Sequence, residues 1–431
     1  MTVPFGQRIS RGLACLAATF VVGGHACGAW AFENARSAGM AGVTAAFAND
    51  ADAMIVNPAL LGLTSTRERV SLTVLPNLSL GLGNNVLSFG ELAALISNRE
   101  ITSSEVSGLL EALPPTGWRF LFDGGTSLAF AMPSARTGAF LQASADTQGL
   151  DVPRDLIALV LNGNASVPNV GIESLNGATA TAVASLGSSF AFPLSGAASM
   201  GLNLRYLRGL AYGHVREAHG TLFAVDESGK YSADARLETE WATGGNGIAA
   251  DVGVAGMLGD RLHWGAVLGN LGVMSFSQRE ITAYTLKVAP FAIVDASGSV
   301  TDFGAVTRDA LKEAKHREGP SEIVLPPYLR LAAAFNPWDP FTLSGELQLG
   351  YGNGFGVSRT PELRLGSELR LLDWLPLRTG IALGGDRGLT LATGLGLDMP
   401  HFRLDFAMAA LNGVGSHARG ASYTLSNTFH F

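Results

Sequence analysis

The residues best able to do chemistry are scattered. Eight histidines are spread over 431 residues. The nearest approach to a metal motif is His214-Val215-Arg216-Glu217-Ala218-His219. Metal ligands must converge on one ion, yet a five-residue separation puts two imidazoles on different faces of a helix. On a regularly alternating strand they point to opposite sides. No metal is expected there. No Gly-x-Ser-x-Gly elbow or phosphate-cradling glycine loop occurs. Gly350, Gly352, Gly354 and Gly356 alternate through what reads as an outer turn. Neither enzymatic activity nor a cofactor is expected. What remains is a set of charges in an odd setting. Arg330, Glu346, Arg364, Glu368, Arg370, Arg378, Arg403 and Asp405 stand at alternate positions of leucine-rich segments. Charges of both signs gathered in an interior suit ion pairing, either to hold another part of the chain or to line a path.

The elements that position these charges follow from pattern. Only 15% of residues are charged and 47% are hydrophobic, with a net charge of −7 and 54 glycines. A soluble domain carries about 25% charged residues and about 7% glycine. High apolar content and small net charge exclude disorder. Four lysines (Lys230, Lys287, Lys312 and Lys315) and no basic tract argue against nucleic acid as a partner. Arg8 and Arg11, the apolar run Gly12 to Val22, and Ala29-Trp30-Ala31 read as a cleaved secretory signal over residues 1–31. The run is shorter than the roughly 20 residues of a spanning helix. Cleavage there removes both cysteines, Cys15 and Cys27, and leaves no disulfide chemistry.

From residue 328 onward the sequence alternates with period two. Leu363, Leu365, Leu369 and Leu371 oppose Arg364, Gly366, Glu368 and Arg370, and six further runs behave likewise. Earlier strands are expected near 68–80, 126–133, 136–145, 180–192, 197–210, 234–257 and 261–275, which makes fourteen. A soluble sandwich would bury the leucine face. The polar face here mixes charges with Gly, Ala, Ser and Thr, as a crowded interior needs. Short and long connections alternate, and Trp338, Trp374 and Phe402 stand beside short turns, where an interfacial girdle belongs. The expectation is therefore an all-β transmembrane antiparallel barrel with leucines toward lipid. Long segments at 81–125, 146–179, 211–233 and 276–327 are expected as outer loops containing short helices. Thr102 with Glu105 caps one helix, Asp151-Val152-Pro153 opens a second, and a third starts at Thr307 and runs through Leu311 and the basic cluster Lys312, Lys315, His316 and Arg317, ending before Gly319. Leu109, Leu110, Leu156, Ile157 and Val160 on the first two either pack on the rim or form a ledge that captures hydrophobic molecules.

Residues 32–66 are neither strand-like nor a linker. Ala35-Arg36-Ser37-Ala38-Gly39-Met40-Ala41-Gly42, then Asn49-Asp50-Ala51-Asp52-Ala53, then Asn57-Pro58-Ala59 resemble the N-terminal hatch of the FadL family and the related PorV group of outer-membrane barrels. The resemblance implies a fourteen-stranded barrel over 67–431 filled by a plug over 32–66, in the bacterial outer membrane. It implies passage of hydrophobic compounds such as long-chain fatty acids by diffusion past the plug. The alternatives it implies are a PorV-like scaffold for secreted proteins, without transport, or a structural envelope barrel. The expected partners are outer-membrane lipid, a hydrophobic small molecule, and the barrel-assembly machinery acting on the C-terminal strand that ends at Phe431.

Overall fold

The computed structural model describes residues 34–43, 45–46, 51, 53–63, 70–91, 103–115, 117–162, 169–292 and 303–431. The signal-like segment with both cysteines lies outside these residues, as do Asn49, Asp50, Asp52 and the expected cap Thr102.

Fourteen antiparallel staves follow one another around a closed sheet. They are β1 (Asn77–Asn84), β2 (Trp118–Met132), β3 (Thr137–Gln148), β4 (Thr179–Ser195), β5 (Ala198–Val225), β6 (Gly245–Leu258) and β7 (Leu262–Phe276). Then come β8 (Tyr328–Trp338), β9 (Phe341–Gly350), β10 (Glu362–Leu372), β11 (Leu375–Gly384), β12 (Thr390–Met399), β13 (Phe402–Leu411) and β14 (Gly420–His430). The first stave pairs with the second, Asn77 facing Ser127, and with the last, Leu78 facing Leu425, so no open edge remains in the barrel.

Side-chain alternation is inside out relative to a soluble sheet. Leu78, Leu80 and Leu82 on β1, Leu363 and Leu365 on β10, and Leu395 on β12 are exposed around the outer surface. Arg364 is only 1% exposed and Glu346 2%. Because neighbours on a strand point to opposite faces, Leu365 and Arg364 report the two environments directly. The connections of two to four residues between staves all lie at one end of the barrel. There Trp338 stacks on Phe341, with centroids 4.9 Å apart, and Phe402 meets Phe429 at 4.7 Å.

Two expected outer loops are corrected. Most of 211–233 and 276–327 is strand. β5 runs for 28 residues, past the barrel rim. Lys230–Thr243 continues into β6 through Gly244, whose φ of 72° suits glycine at the bend. β7 likewise runs on into Gln278–Ala292, and Leu311–Glu318 pairs beside that. These strands form a four-stranded fin above the loop end. Opposite charges across neighbouring strands, such as Arg279 facing Glu318 and Lys287 facing Asp234, support the pairing. One fin face carries an ion network: Arg216 to Glu318 at 3.0 Å, Arg279 to Glu240 at 3.1 Å and to Glu318 at 2.9 Å. The hydrogen bond from Arg216 holds the Glu318 carboxyl below its usual range. The other face buries Val170, Phe223, Tyr231 and Leu286.

The third loop helix is also corrected. It spans Phe303–Ala310, and the basic cluster expected to extend it (Lys312, Lys315, His316, Arg317) lies on the strand Leu311–Glu318. Eight cross-strand pairs with Gln278–Ala292 outweigh its helical propensity. The other two helices form as Ser103–Ala112 and Arg154–Asn162.

Candidate functional site

The lumen is where the polar face converges, and its lower half is occupied by the N-terminal segment. Helix α1 (Ala35–Gly39) is capped by Asn34, whose side chain accepts the Ser37 N–H at 2.8 Å. A second short helix, Ala53–Val56, leads to a 3-10 turn over Pro58–Gly62. Asn57 joins this turn to two other parts of the molecule. Its Oδ1 accepts the Ala59 N–H at 3.1 Å, and its Nδ2 donates to the carbonyls of Ala45 (2.8 Å) and Val254 (3.2 Å). Pro58 stiffens the turn at the first helical position, where its missing N–H costs nothing. Asn57, Pro58 and Ala59 are all buried, packed against β5 and β6 at Gly201 and Gly253.

Glycines in the wall make that approach possible. A Cβ at Gly201 would run into the Pro58–Ala59 peptide, one at Gly265 into the Ala45 carbonyl, and one at Gly380 into the backbone of Met40. Backbone cannot give way as a flexible side chain can, so these wall positions need glycine for proximity.

Glu346, Arg364 and Glu368 among the expected charges bond this segment directly. Arg36 donates to both oxygens of Glu368, at 2.9 and 3.1 Å. Arg378 bonds the same carboxylate at 2.7 Å and Asp405 at 2.6 Å. Arg364 donates to the Gly42 carbonyl at 3.0 Å and pairs with Glu346 and Glu362 at 3.3 and 2.8 Å. Glu346 in turn accepts the Ala45 N–H at 3.2 Å. Arg330 bonds Gln348 at 2.8 Å and lies 5.0 Å from the Tyr328 ring. Arg370 and Arg403 are the outliers: both pair with Asp398, at 3.2 and 2.9 Å, near the short turns. Charges that the strand patterns did not single out also belong here. Arg36 comes from the segment itself, and Arg205 pairs with Asp251 at 2.8 Å and Arg387 with Asp123 at 2.6 Å. For Arg205, Asp251 and Asp123 the available signal was their position on the same alternating strand face as small residues; Arg36 and Arg387 lie off the barrel strands.

Above the segment the lumen changes character. Val183, Leu207, Met274, Phe276 and Leu325 form a buried apolar cluster joined by Tyr212 and Phe355. Phe355 comes from the connection between β9 and β10, expected as an outer turn. It instead folds inward, leaving Val357 only 2% exposed. Between segment and wall, beside Ala38, Ala41, Asp123 and Arg364, lies a cavity of about 30 Å³. That is room for about one water molecule.

The ledge residues divide between two clusters. Leu109, Leu110 and Ile157 pack with Val86, Leu113 and Trp118, whereas Leu156 packs against the fin; the Val160 side chain lies outside the described residues. At His214–His219 plain alternation fails. A bulge after Val215 lets His214 face Glu240 and His219 face Arg236, which puts both imidazoles on one side. Four partner positions separate them, or roughly 13 Å at about 3.3 Å per residue, and His219 meets Glu217 at 3.3 Å. That span is too long for one ion.

A model of a family of unknown function (DUF5723) matches residues 58–409. No curated protein matches the sequence. Among solved structures, the toluene transporter TbuX of Ralstonia pickettii is similar with a TM-score of 0.53 at 14% identity, over 93% of this chain and 98% of its own. The toluene transporter TodX of P. putida gives 0.53 at 12% identity, over 93% and 98%. A Pseudomonas aeruginosa FadL homologue gives 0.50 at 12%, over 92% and 98%. Identities this low make the likeness one of fold.

Proposed function

We propose that this chain, which belongs to the family of unknown function DUF5723, is an outer-membrane barrel that passes small hydrophobic molecules around a plug formed by its N-terminal segment. One observation carries the reading. One side of the loop-side lumen carries a cluster of apolar and aromatic side chains, whereas the lower lumen is charged and holds residues 34–43 and 53–63. A pore for ions or sugars has no use for an apolar mouth, because polar solutes would lose hydration there without compensation. An apolar solute gains by leaving water at that point. The exposed leucine belt suits a lipid bilayer, and the shared fold with TbuX and TodX, named as toluene transporters, favours a small aromatic solute over a long-chain fatty acid. Passage requires the plug or its neighbours to shift, since the cavity beside it holds little more than a water. No nucleotide-binding motif occurs, so movement down a gradient drives entry.

The test is uptake of labelled toluene and labelled oleate by a deletion strain with and without the restored gene. Restored uptake of toluene, with no effect on oleate, supports the reading. Equal uptake in all strains refutes it.

A further inference from the structure

The connection between β9 and β10 places an aromatic ring where a solute would have to pass. Gly354, Phe355 and Gly356 all have positive φ, at 114°, 52° and 75°. The glycines adopt this freely, but a bulky residue in the left-handed region is strained and needs compensation. Phe355 finds it by lying parallel to Tyr212, with centroids 6.2 Å apart and planes 7° apart. Tyr212 in turn stacks on Phe276 at 5.5 Å. The tip is held by this ring contact and by two backbone hydrogen bonds of 3.1 Å exchanged between Gly354 and Val357, and further polar anchors lie just beyond it. Gln148 donates to the Val357 carbonyl at 3.1 Å and Ser358 to Asp386 at 2.8 Å. Phe355 is itself only half-buried, so its ring is reachable from the loop side.

We propose that the Phe355 ring occupies a binding site for a planar apolar ring, built on Tyr212 and Phe276, and that a ligand ring takes its place when residues 352–356 swing away. This rests on the reading of the barrel as a conduit for hydrophobic solutes and names the first site such a solute meets inside the lumen. The site takes one aromatic ring of about the size of the one that fills it. Release of Phe355 relieves its backbone strain, which offsets the loss of the two backbone hydrogen bonds between Gly354 and Val357. Val357 and Ser358 keep the base of the connection in place during the exchange.

The experiment uses 4-bromotoluene with the full-length protein and its Phe355→Gly variant. Glycine suits the positive φ and vacates the ring site, so the variant is expected to bind the probe at least tenfold more tightly by calorimetry. Bromine anomalous scattering from soaked crystals should place the probe against Tyr212 and Phe276 in both proteins, with Phe355 displaced in the wild type. Adding Tyr212→Leu to the glycine variant should cost at least tenfold in affinity. Retained heat-modifiable electrophoretic mobility controls for folding, and Phe355→Ala replaces the glycine variant if that fails to assemble. Equal affinity of wild type and variant, or bromine elsewhere in the lumen with Phe355 in place, overturns the proposal. If the wild type restores toluene uptake in cells under either outcome, the conduit reading survives alone. If neither protein binds the probe and neither restores uptake, both fail.

Discussion

Replacing Arg36 by alanine probes what keeps the N-terminal segment in the lumen. Arg36 and Glu368 are buried, at 6% and 3% exposure, and share two charge-assisted hydrogen bonds. Removing one partner of a buried pair typically costs about 3–5 kcal/mol, because the other charge is stranded. Here Glu368 is not stranded, since Arg378 bonds the same carboxylate at 2.7 Å. The loss is then nearer that of a charged hydrogen bond, about 2–3 kcal/mol, which raises the detached population by roughly 30- to 140-fold. Single-channel recording in planar bilayers reads this as more frequent ion-conducting openings. Limited proteolysis should cut near residues 43–52 at a correspondingly higher rate. Glu368→Gln should give a larger effect, because it removes the charge that Arg36 and Arg378 share. An opening frequency within twofold of wild type for Arg36→Ala and Glu368→Gln alike would show that ion pairing does not hold the segment.

Further outcomes follow from the same structure. Gly380→Val puts a branched side chain into the backbone of Met40; conductance and protease sensitivity should both rise, while the folded barrel still migrates as such on gels. Leu365→Arg on the exposed belt should destabilise the bilayer-inserted barrel by about 2–4 kcal/mol in urea titration. Leu156→Asp and Leu109→Asp should each lower toluene uptake if the loop helices feed the lumen, and a full rate in both would remove them from the pathway. The fin should be pH-sensitive. Its Glu318 has a lowered pKa, chiefly through its hydrogen bond from Arg216, so its stabilising share is complete above about 4.3 and vanishes as pH falls through the lower folded value. Amide hydrogen exchange over Leu311–Glu318, corrected for its intrinsic pH dependence, should therefore quicken only below about pH 4; a rise already at pH 6 would contradict this.

The barrel was legible because its signal is strictly local. Every stave from β8 to β14 alternates, and Leu363-Arg364-Leu365 announces two environments in three residues. The fin was harder to read. Strands such as Leu311–Glu318 carry charge on both faces, so alternation of hydrophobicity vanishes and only cross-strand charge matching remains. That matching cannot be seen until the partner strand is known. Bulges hide in the same way: nothing in His214-Val215-Arg216-Glu217 marks the extra residue that turns His219 to the side of His214. Among candidate site residues, Asn57-Pro58-Ala59 and the buried arginines follow from sequence because turn chemistry and strand parity fix them. The inward course of the connection holding Phe355 does not. Its glycines show that the chain turns sharply, but whether a turn points outward or over the lumen depends on side chains such as Tyr212, Phe276 and Gln148, more than 60 residues away along the chain.

The inverted orientation of the sheet is tested most directly by carbene labelling from the lipid phase. A photoactivatable group on an acyl chain would be reacted with the protein in bilayers, and the modified residues identified by mass spectrometry. The expected pattern is modification at Leu78, Leu363, Leu365 and Leu395, with none at Glu346, Arg364, Glu368 or Arg378. Labelling of the charged positions, or equal labelling of both faces, would contradict it.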